Sequence, residues 1–131
     1  MISAVFPKQR LWSPEAAATL LDMSGKLPGF ENIGEQQLKA AVALHRMLLT
    51  QGCAYLADEV GMGKTYVALA VVALLRHQQP SLRVLYLAPS QNVLRKWYAR
   101  ELPAFIRNNV RQSDMRVQGP SAFRYTQVPP A

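Results

Sequence analysis

Cysteine, long apolar runs and acidic residues are all scarce in this sequence of 131 residues. The single cysteine, Cys53, excludes an internal disulfide framework and favours a reduced protein of the cytoplasm. The longest uncharged run in a predicted helix, from Thr65 to Leu75, is too short to cross a bilayer, so no membrane partner is expected. Because the sequence has no cluster of cysteines and histidines, we expect no zinc site.

Basic residues are in excess, and the excess lies in the second part of the chain. Residues 57–131 carry ten Lys/Arg against four Asp/Glu, whereas residues 1–56 carry five against four, for a net charge of +7. A basic surface of this kind indicates a polyanionic partner, and nucleic acid is the first candidate. A solvated surface, or one that docks on an acidic partner, remains the alternative.

The apolar pattern predicts helices that alternate with strands. Ser13-Pro14 is typical of the start of a helix that would run to Met23, and further helices are predicted over about 35–50, 64–77 and 91–105. Gly52 is the expected stop of the helix over 35–50. Continuous apolar runs at 53–57 and 84–88 predict strands that are covered on both faces. His45 falls on the apolar face of its helix, where packing is a commoner role than ligation. The alternation favours an α/β fold with a parallel sheet.

A glycine-containing turn joins the first predicted strand to the next helix, in the order that a phosphate-binding loop requires. It runs from Asp58 to Thr65, with Asp58 where the strict pattern would have glycine. Backbone N–H groups would face a polyphosphate, Lys64 would reach its β- and γ-phosphates, and the Thr65 hydroxyl would hold Mg²⁺. The expected nucleotide-binding residues of the turn and the helix start are Gly61, Met62, Gly63, Lys64, Thr65 and Tyr66.

Three segments together resemble superfamily-two helicases, and most closely the Swi/Snf-type DNA helicases and translocases. Leu56–Thr65 resembles their first ATPase motif, L-A-D-E-x-G-x-G-K-T, in which Asp58 is the expected residue. The helix that contains Gln37 resembles their Q motif. The run 84–90 followed by Trp97-Tyr-Ala-Arg-Glu101 resembles motif Ia. The resemblance covers about residues 31–105.

The resemblance implies ATP and Mg²⁺ as cofactors and nucleic acid, DNA rather than RNA, as a partner. It implies that Gln37 reads the adenine edge and that Lys64 is the catalytic lysine. Residues Pro89, Ser90 and Gln91 would contact the nucleic-acid backbone. The implied fold is part of a RecA-like P-loop domain with three layers and a short parallel sheet, preceded by helices. Residues 1–30 would form a helical extension, and 31–131 a truncated ATP-binding lobe.

The acidic pair that superfamily-two enzymes need for hydrolysis has no counterpart after Thr65. Glu101 and Asp114 are the only acidic residues there, and neither has an acidic neighbour. The second lobe is also lacking, so we expect the N-terminal part of a longer helicase, with little or no ATPase activity by itself. A P-loop ATPase of another class, such as the AAA type, and a non-enzymatic basic domain that binds nucleic acid or a protein remain the alternatives.

Overall fold

A computed structural model of the chain describes residues 11–24, 31–57, 63–79 and 81–111. Its first three helices are α1 (Pro14–Leu20), α2 (Glu31–Gln51) and α3 (Lys64–Gln78). A continuous helical stretch follows, made of α4 (Gln91–Lys96), a π-helical turn (Trp97–Glu101) and α5 (Leu102–Asn109). We call this stretch, residues 91–109, the basic helix.

The ends of the helices follow signals in the sequence. The Ser13 hydroxyl accepts a hydrogen bond of 3.1 Å from the Ala16 backbone N–H, and a proline occupies the first turn of α1, as predicted. This helix ends at Leu20, three residues earlier than the sequence indicates. Gly52 has φ of 81° just after α2, a left-handed conformation that glycine adopts without strain, so the predicted stop is confirmed.

The core lies where the long helices pack, with α2 against α3, α1 against α2, and α5 against α3. Buried side chains occupy most of the circumference of α3, which confirms that this helix is covered on more than one side. Phe105 of α5 and Leu74 of α3 are fully buried. The helices are therefore held mainly by apolar packing around α3.

His45 of α2 is the one buried polar or charged side chain among the described residues. It is 0% exposed, and neither ring nitrogen has a hydrogen-bond partner there. Burial lowers the pKa of His45 from its ordinary value of 6.5 to about 4, because a charged imidazole would lose its hydration. The predicted packing role is confirmed, since the side chain lies in the core in its neutral form.

The predicted α/β fold with a parallel sheet is wrong for the part of the chain that the structure describes. Helix accounts for 69% of those residues, and none of them belongs to a strand. The runs 53–57 and 84–88 are irregular, and no backbone hydrogen bond joins them. A strand exists only through hydrogen bonds to a neighbour, so apolar composition alone was not enough to form one.

The same two runs are also more exposed than the sequence indicates. Cys53 is exposed instead of buried in a strand, and Tyr55 is 84% exposed. Leu85 and Leu87 are 68% and 80% exposed, so the expectation of cover on both faces is wrong. The described helices therefore leave these apolar side chains uncovered.

Tertiary contacts hold the segments between and beyond the helices. An Arg76 guanidinium nitrogen donates to the Leu82 carbonyl oxygen, and the Tyr86 ring stacks on Trp97 at a centroid distance of 4.0 Å. At the other end of the molecule, Leu21 and Val110 form an isolated antiparallel bridge. Residues 82–86 are thus attached to both α3 and the basic helix, and the end of α1 is attached to the end of α5.

None of the described helices combines the length and the apolar character that a membrane crossing requires. No group of three or more potential metal ligands occurs among the described residues. The boundary predicted at residue 30 falls in a stretch that the structure does not describe, so it stays a prediction.

Candidate nucleotide site and nucleic-acid face

The candidate nucleotide site begins at Gly63, the residue that precedes α3. Gly63 has φ of 73° and ψ of 38°, in the left-handed region, where a residue with a Cβ atom would be strained. The N-cap residue Gly63 has no side chain to cap the first backbone N–H groups of α3, and the first turn of the helix contains no acidic residue. Lys64 and Thr65 are the first two residues of the helix, both half-buried. This arrangement gives the helix start a positive potential that suits a polyanion.

Gln37 of α2 lies directly against Gly63, although 26 positions separate the two residues in the sequence. A Cβ atom built on Gly63 would overlap the Gln37 side-chain nitrogen Nε2. Gln37 is half-buried, whereas the adjacent Gln36 is exposed. The packing of α2 on α3 therefore brings the predicted adenine-reading residue to the predicted phosphate loop. It also gives a second reason, besides the backbone conformation, why a larger residue does not suit position 63.

The other loop residues that the sequence predicts for nucleotide binding fall into two groups. Gly61 and Met62 lie outside the described residues, as does Asp58. Tyr66 is half-buried on α3, and its ring lies 6.1 Å from that of Phe105, measured between centroids. Its side chain thus points toward the basic helix, which leaves its backbone N–H as the group that would serve an anion at the helix start.

The predicted nucleic-acid contacts lie together at the start of the basic helix. Pro89, Ser90 and Gln91 are all exposed. The Ser90 hydroxyl oxygen accepts a hydrogen bond of 3.3 Å from the Val93 backbone N–H and so caps α4. A hydroxyl that accepts can also donate its own hydrogen, so Ser90 can serve a phosphate oxygen while it caps the helix.

Charge is distributed unevenly around the basic helix. Its four cationic side chains are exposed, and they are Arg95, Lys96, Arg100 and Arg107. Its one acidic residue, Glu101, has a side chain that is only 19% exposed. The exposed charged side chains of this helix are therefore all cationic, which favours the phosphate backbone of a nucleic acid.

Glu101 is a candidate functional residue that sequence reasoning missed. Its Oε1 lies 3.6 Å from the Lys96 Nζ. Burial raises the pKa of Tyr66, and the negative charge of Glu101 raises it further. The signal in the sequence was its spacing, since Glu101 shares the apolar stripe with Tyr98 and Phe105.

A family model described as the type III restriction enzyme, res subunit, matches residues 32–124. The chain belongs to this family. The res-subunit family is helicase-like and of superfamily two, and its members generally use ATP and Mg²⁺. Comparison with curated proteins finds no match, and comparison with solved structures finds none either.

The res-subunit match includes both candidate surfaces. It begins one residue after the start of α2 and extends beyond the end of the basic helix, so it contains Gln37, Gly63 and residues 89–91. Helix α1 precedes it. The resemblance to superfamily-two helicases is confirmed at this level, and nucleic-acid binding is typical of such a family.

The described residues fit a nucleotide with Mg²⁺. A site for an anion is formed by Gly63 in its left-handed conformation, the backbone N–H groups at the start of α3, and Lys64. A Cβ atom added at Gly63 would occupy this site on the side that Gln37 contacts. The Thr65 hydroxyl is an oxygen ligand of the kind that Mg²⁺ prefers. The geometry can therefore bind a polyphosphate and place an amide beside it.

Proposed function

We propose that this chain is the ATP-binding and nucleic-acid-binding part of a Swi/Snf-like DNA helicase or translocase. The observation that carries the proposal is the position of Gln37 against Gly63, at the start of the helix with Lys64. An amide that can read adenine and a loop that can hold phosphates therefore belong to one site, which is able to serve both ends of one nucleotide. The membership of the res-subunit family supports the same conclusion.

Each nucleotide-site residue has a distinct role in this proposal. Backbone N–H groups of Gly61, Met62, Gly63 and Tyr66 donate to phosphate oxygens, with the first two assigned from the sequence motif alone. Lys64 neutralises the β- and γ-phosphates, and Thr65 holds Mg²⁺. The Gln37 amide donates to N7 of adenine and accepts from N6. When bound, Mg²⁺–ATP supplies the phosphoanhydride bond whose cleavage drives motors of this class.

The nucleic-acid contacts in the proposal are independent of sequence. Pro89, Ser90 and Gln91 meet the backbone at the start of the basic helix, and the exposed cations of that helix add attraction to phosphates. DNA is preferred over RNA because motifs I and Ia resemble those of the Swi/Snf-type proteins. A location in the cytoplasm is part of the same proposal.

Binding without appreciable hydrolysis is expected of the 131-residue chain. Glu101 is the only acidic side chain between Thr65 and residue 111, and its carboxylate is already paired with Lys96 at 3.6 Å. A carboxylate held in this way is not positioned to orient an attacking water at the start of α3. We therefore propose that the chain retains ATP without turning it over.

The proposal predicts that Lys64→Ala weakens the binding of a fluorescent ATP analogue with Mg²⁺ by about 10-fold to 100-fold, because one charge-assisted phosphate contact is lost. The measurement is a fluorescence titration of the 131-residue chain. The matched control is Lys39→Ala. Lys39 is 60% exposed on α2, where it pairs with Glu35 at 3.1 Å, so its loss removes the same charge and should not change ATP affinity.

Two outcomes would contradict the proposal in different ways. If the parent chain binds no ATP, the nucleotide site is rejected, and the second candidate is a basic domain that binds nucleic acid without a nucleotide. The exposed cations of the basic helix are the observation that favours this candidate. Steady hydrolysis that Lys64→Ala abolishes would leave the nucleotide site standing and reject only the absence of turnover.

A further inference from the structure

Two aromatic rings stack on each other next to the candidate nucleic-acid contacts. The rings of Tyr86 and Trp97 lie 4.0 Å apart between centroids, and the angle between their planes is 17°. Both side chains are half-buried. None of the side chains of α4 or of the π-helical turn that contains Trp97 is buried. The stacked pair therefore lies at the surface of the molecule, although rings of this size are ordinarily used to fill a core.

Tyr86 is the outer ring of the pair. Trp97 packs against the hydrophobic core, and Tyr86 is not among the described side chains that do so. On either side of Tyr86 in the chain, Leu85 and Leu87 are 68% and 80% exposed, so its half-buried ring is turned to the basic helix from an otherwise uncovered run. A ring that stacks on one neighbour has a second face, and on Tyr86 that face is the one away from the core.

Exposed cations accompany both rings. Arg83 precedes Tyr86 in its own segment, and Lys96 and Arg100 lie on the two sides of Trp97 within one turn of the basic helix. Residues 89–91, the candidate contacts to a nucleic-acid backbone, join the two segments. Aromatic rings among cations are the combination with which proteins bind single-stranded nucleic acid, because phosphates pair with the cations while bases stack on the rings.

We propose that Tyr86, supported from beneath by Trp97, is a stacking platform for an unpaired base of a single-stranded nucleic acid. The inference rests on the proposed function, because it uses the same nucleic-acid face, and it adds a contact to a base where the proposed function has contacts to the backbone alone. A base in a duplex has both faces covered by its neighbours, so the platform favours a single strand. Because every base has an aromatic face, the contact does not depend on sequence.

The test compares the affinity for a short oligothymidylate with that for the same sugar-phosphate strand without bases, at one salt concentration. The ratio of the two dissociation constants measures what the bases contribute. We expect the parent chain to bind oligothymidylate about 10-fold more tightly than the base-free strand, as one stacked base would provide. Raising the salt should weaken both complexes and leave the ratio in place, because both strands carry the same phosphates.

Two variants of Tyr86 separate the ring from its other properties. Tyr86→Leu keeps an apolar side chain on Trp97 and removes the ring, so the ratio should fall close to one, while binding to a duplex of the same length should not change. Tyr86→Phe keeps the ring and removes the hydroxyl, so it should retain the ratio of the parent. The matched control is Tyr55→Leu, which removes a ring that is 84% exposed on another segment and should leave the ratio unaltered.

Each contrary outcome has a distinct meaning. If Tyr86→Leu weakens binding to the base-free strand and to the duplex as much as to oligothymidylate, the stack only holds its segment in place, and the inference is overturned. A ratio of one for the parent also overturns it and leaves the proposed function standing. If the parent binds none of the three nucleic acids, the nucleic-acid part of the proposed function is rejected together with the inference. Circular dichroism of each variant shows that the ratios refer to folded protein.

Discussion

Gly34 is the fourth residue of α2, where the backbone of another segment leaves no room for a side chain. A Cβ atom at this position would overlap the Met23 carbonyl oxygen and come within 3.1 Å of the Ser24 Cα. Gly34 is buried, and both clashing groups belong to the backbone, which cannot rotate away as a side chain could. The connection after α1 therefore approaches α2 closely because this residue is glycine.

We expect Gly34→Ala to destabilise the fold by about 1–3 kcal/mol, the usual range for overpacking. The sign is informative, because alanine in place of glycine within a helix ordinarily stabilises by about 1 kcal/mol. Urea denaturation measures the change in the free energy of unfolding. The matched control, Ala43→Gly at an exposed position of α2, should cost about 1 kcal/mol through helix propensity alone. A stabilised Gly34→Ala variant would contradict the close approach.

His45 makes the stability of the fold depend on acid. Because burial lowers its pKa from 6.5 to about 4, the unfolded chain binds a proton more readily than the folded one between these values. The contribution of neutral His45 to the free energy of unfolding is complete above pH 6.5. It decreases as the pH falls toward 4, and it changes no further below that pH. A shift of this size corresponds to about 3 kcal/mol.

His45→Leu should remove this dependence and should also raise stability at neutral pH by about 1 kcal/mol, since two buried nitrogens without partners disappear. The measurement is the free energy of unfolding of parent and variant across pH 4–7. Carboxyl groups titrate in both proteins, so the difference between the two curves isolates His45. Parallel curves would show that the imidazole is not buried in its neutral form.

At the scale of elements, local signals predicted the helices well. The sequence contains the information needed to place these helices, because their signals act within one or two turns of the chain. These signals are the Ser13 cap, the Pro14 start, the Gly52 stop and the apolar pattern of α3. The Ser90 cap at the start of the basic helix is of the same kind. The departures are the earlier end of α1, the start of α2 four residues before the predicted position, the end of the basic helix four residues after it, and the π-helical turn.

The predicted strands failed because a strand depends on a partner. The runs 53–57 and 84–88 have the composition of buried strands, but composition cannot state which backbone groups will pair. In the described part of the chain these backbones do not bond to each other. The second run is instead attached through the stack of Tyr86 on Trp97, and Arg76 holds Leu82 just before it. The error lies in inferring tertiary pairing from a local pattern.

In the candidate site, too, local features could be predicted more fully than contacts between distant residues. The glycine and lysine of the loop could be identified from the motif, because the chemistry of phosphate binding is local to six residues. The approach of Gln37 to Gly63 was implied only by the resemblance to a helicase family, and that of Phe105 to Tyr66 could not be predicted, because each joins residues more than 25 positions apart. Such contacts depend on how α2 and the basic helix pack on α3. The lengths and caps of these helices do not determine how the helices pack on one another.

At the scale of the whole molecule, an exposed apolar segment occurs in a protein of strongly positive net charge. Val84, Leu85 and Leu87 are 53%, 68% and 80% exposed, and no charged residue interrupts the run between them. The net charge of +7 opposes association of like molecules, whereas exposed apolar side chains favour it. Salt weakens the repulsion between the charges and leaves the apolar attraction in place.

We therefore expect the chain to self-associate as its concentration rises from micromolar to millimolar, and more so in salt that screens its charge. Leu87→Lys should reduce the associated fraction several-fold, because it places a charge in the uncovered segment. The matched control is Met47→Lys on α2, where the replaced side chain is 38% exposed, and it adds the same charge elsewhere.

Light scattering coupled to size-exclusion chromatography measures the mass. An equal effect of the two variants would attribute the association to net charge, and a monomer under all conditions would exclude it. A response confined to Leu87→Lys would show that the apolar segment itself, and not the overall charge, is the surface through which the molecules meet.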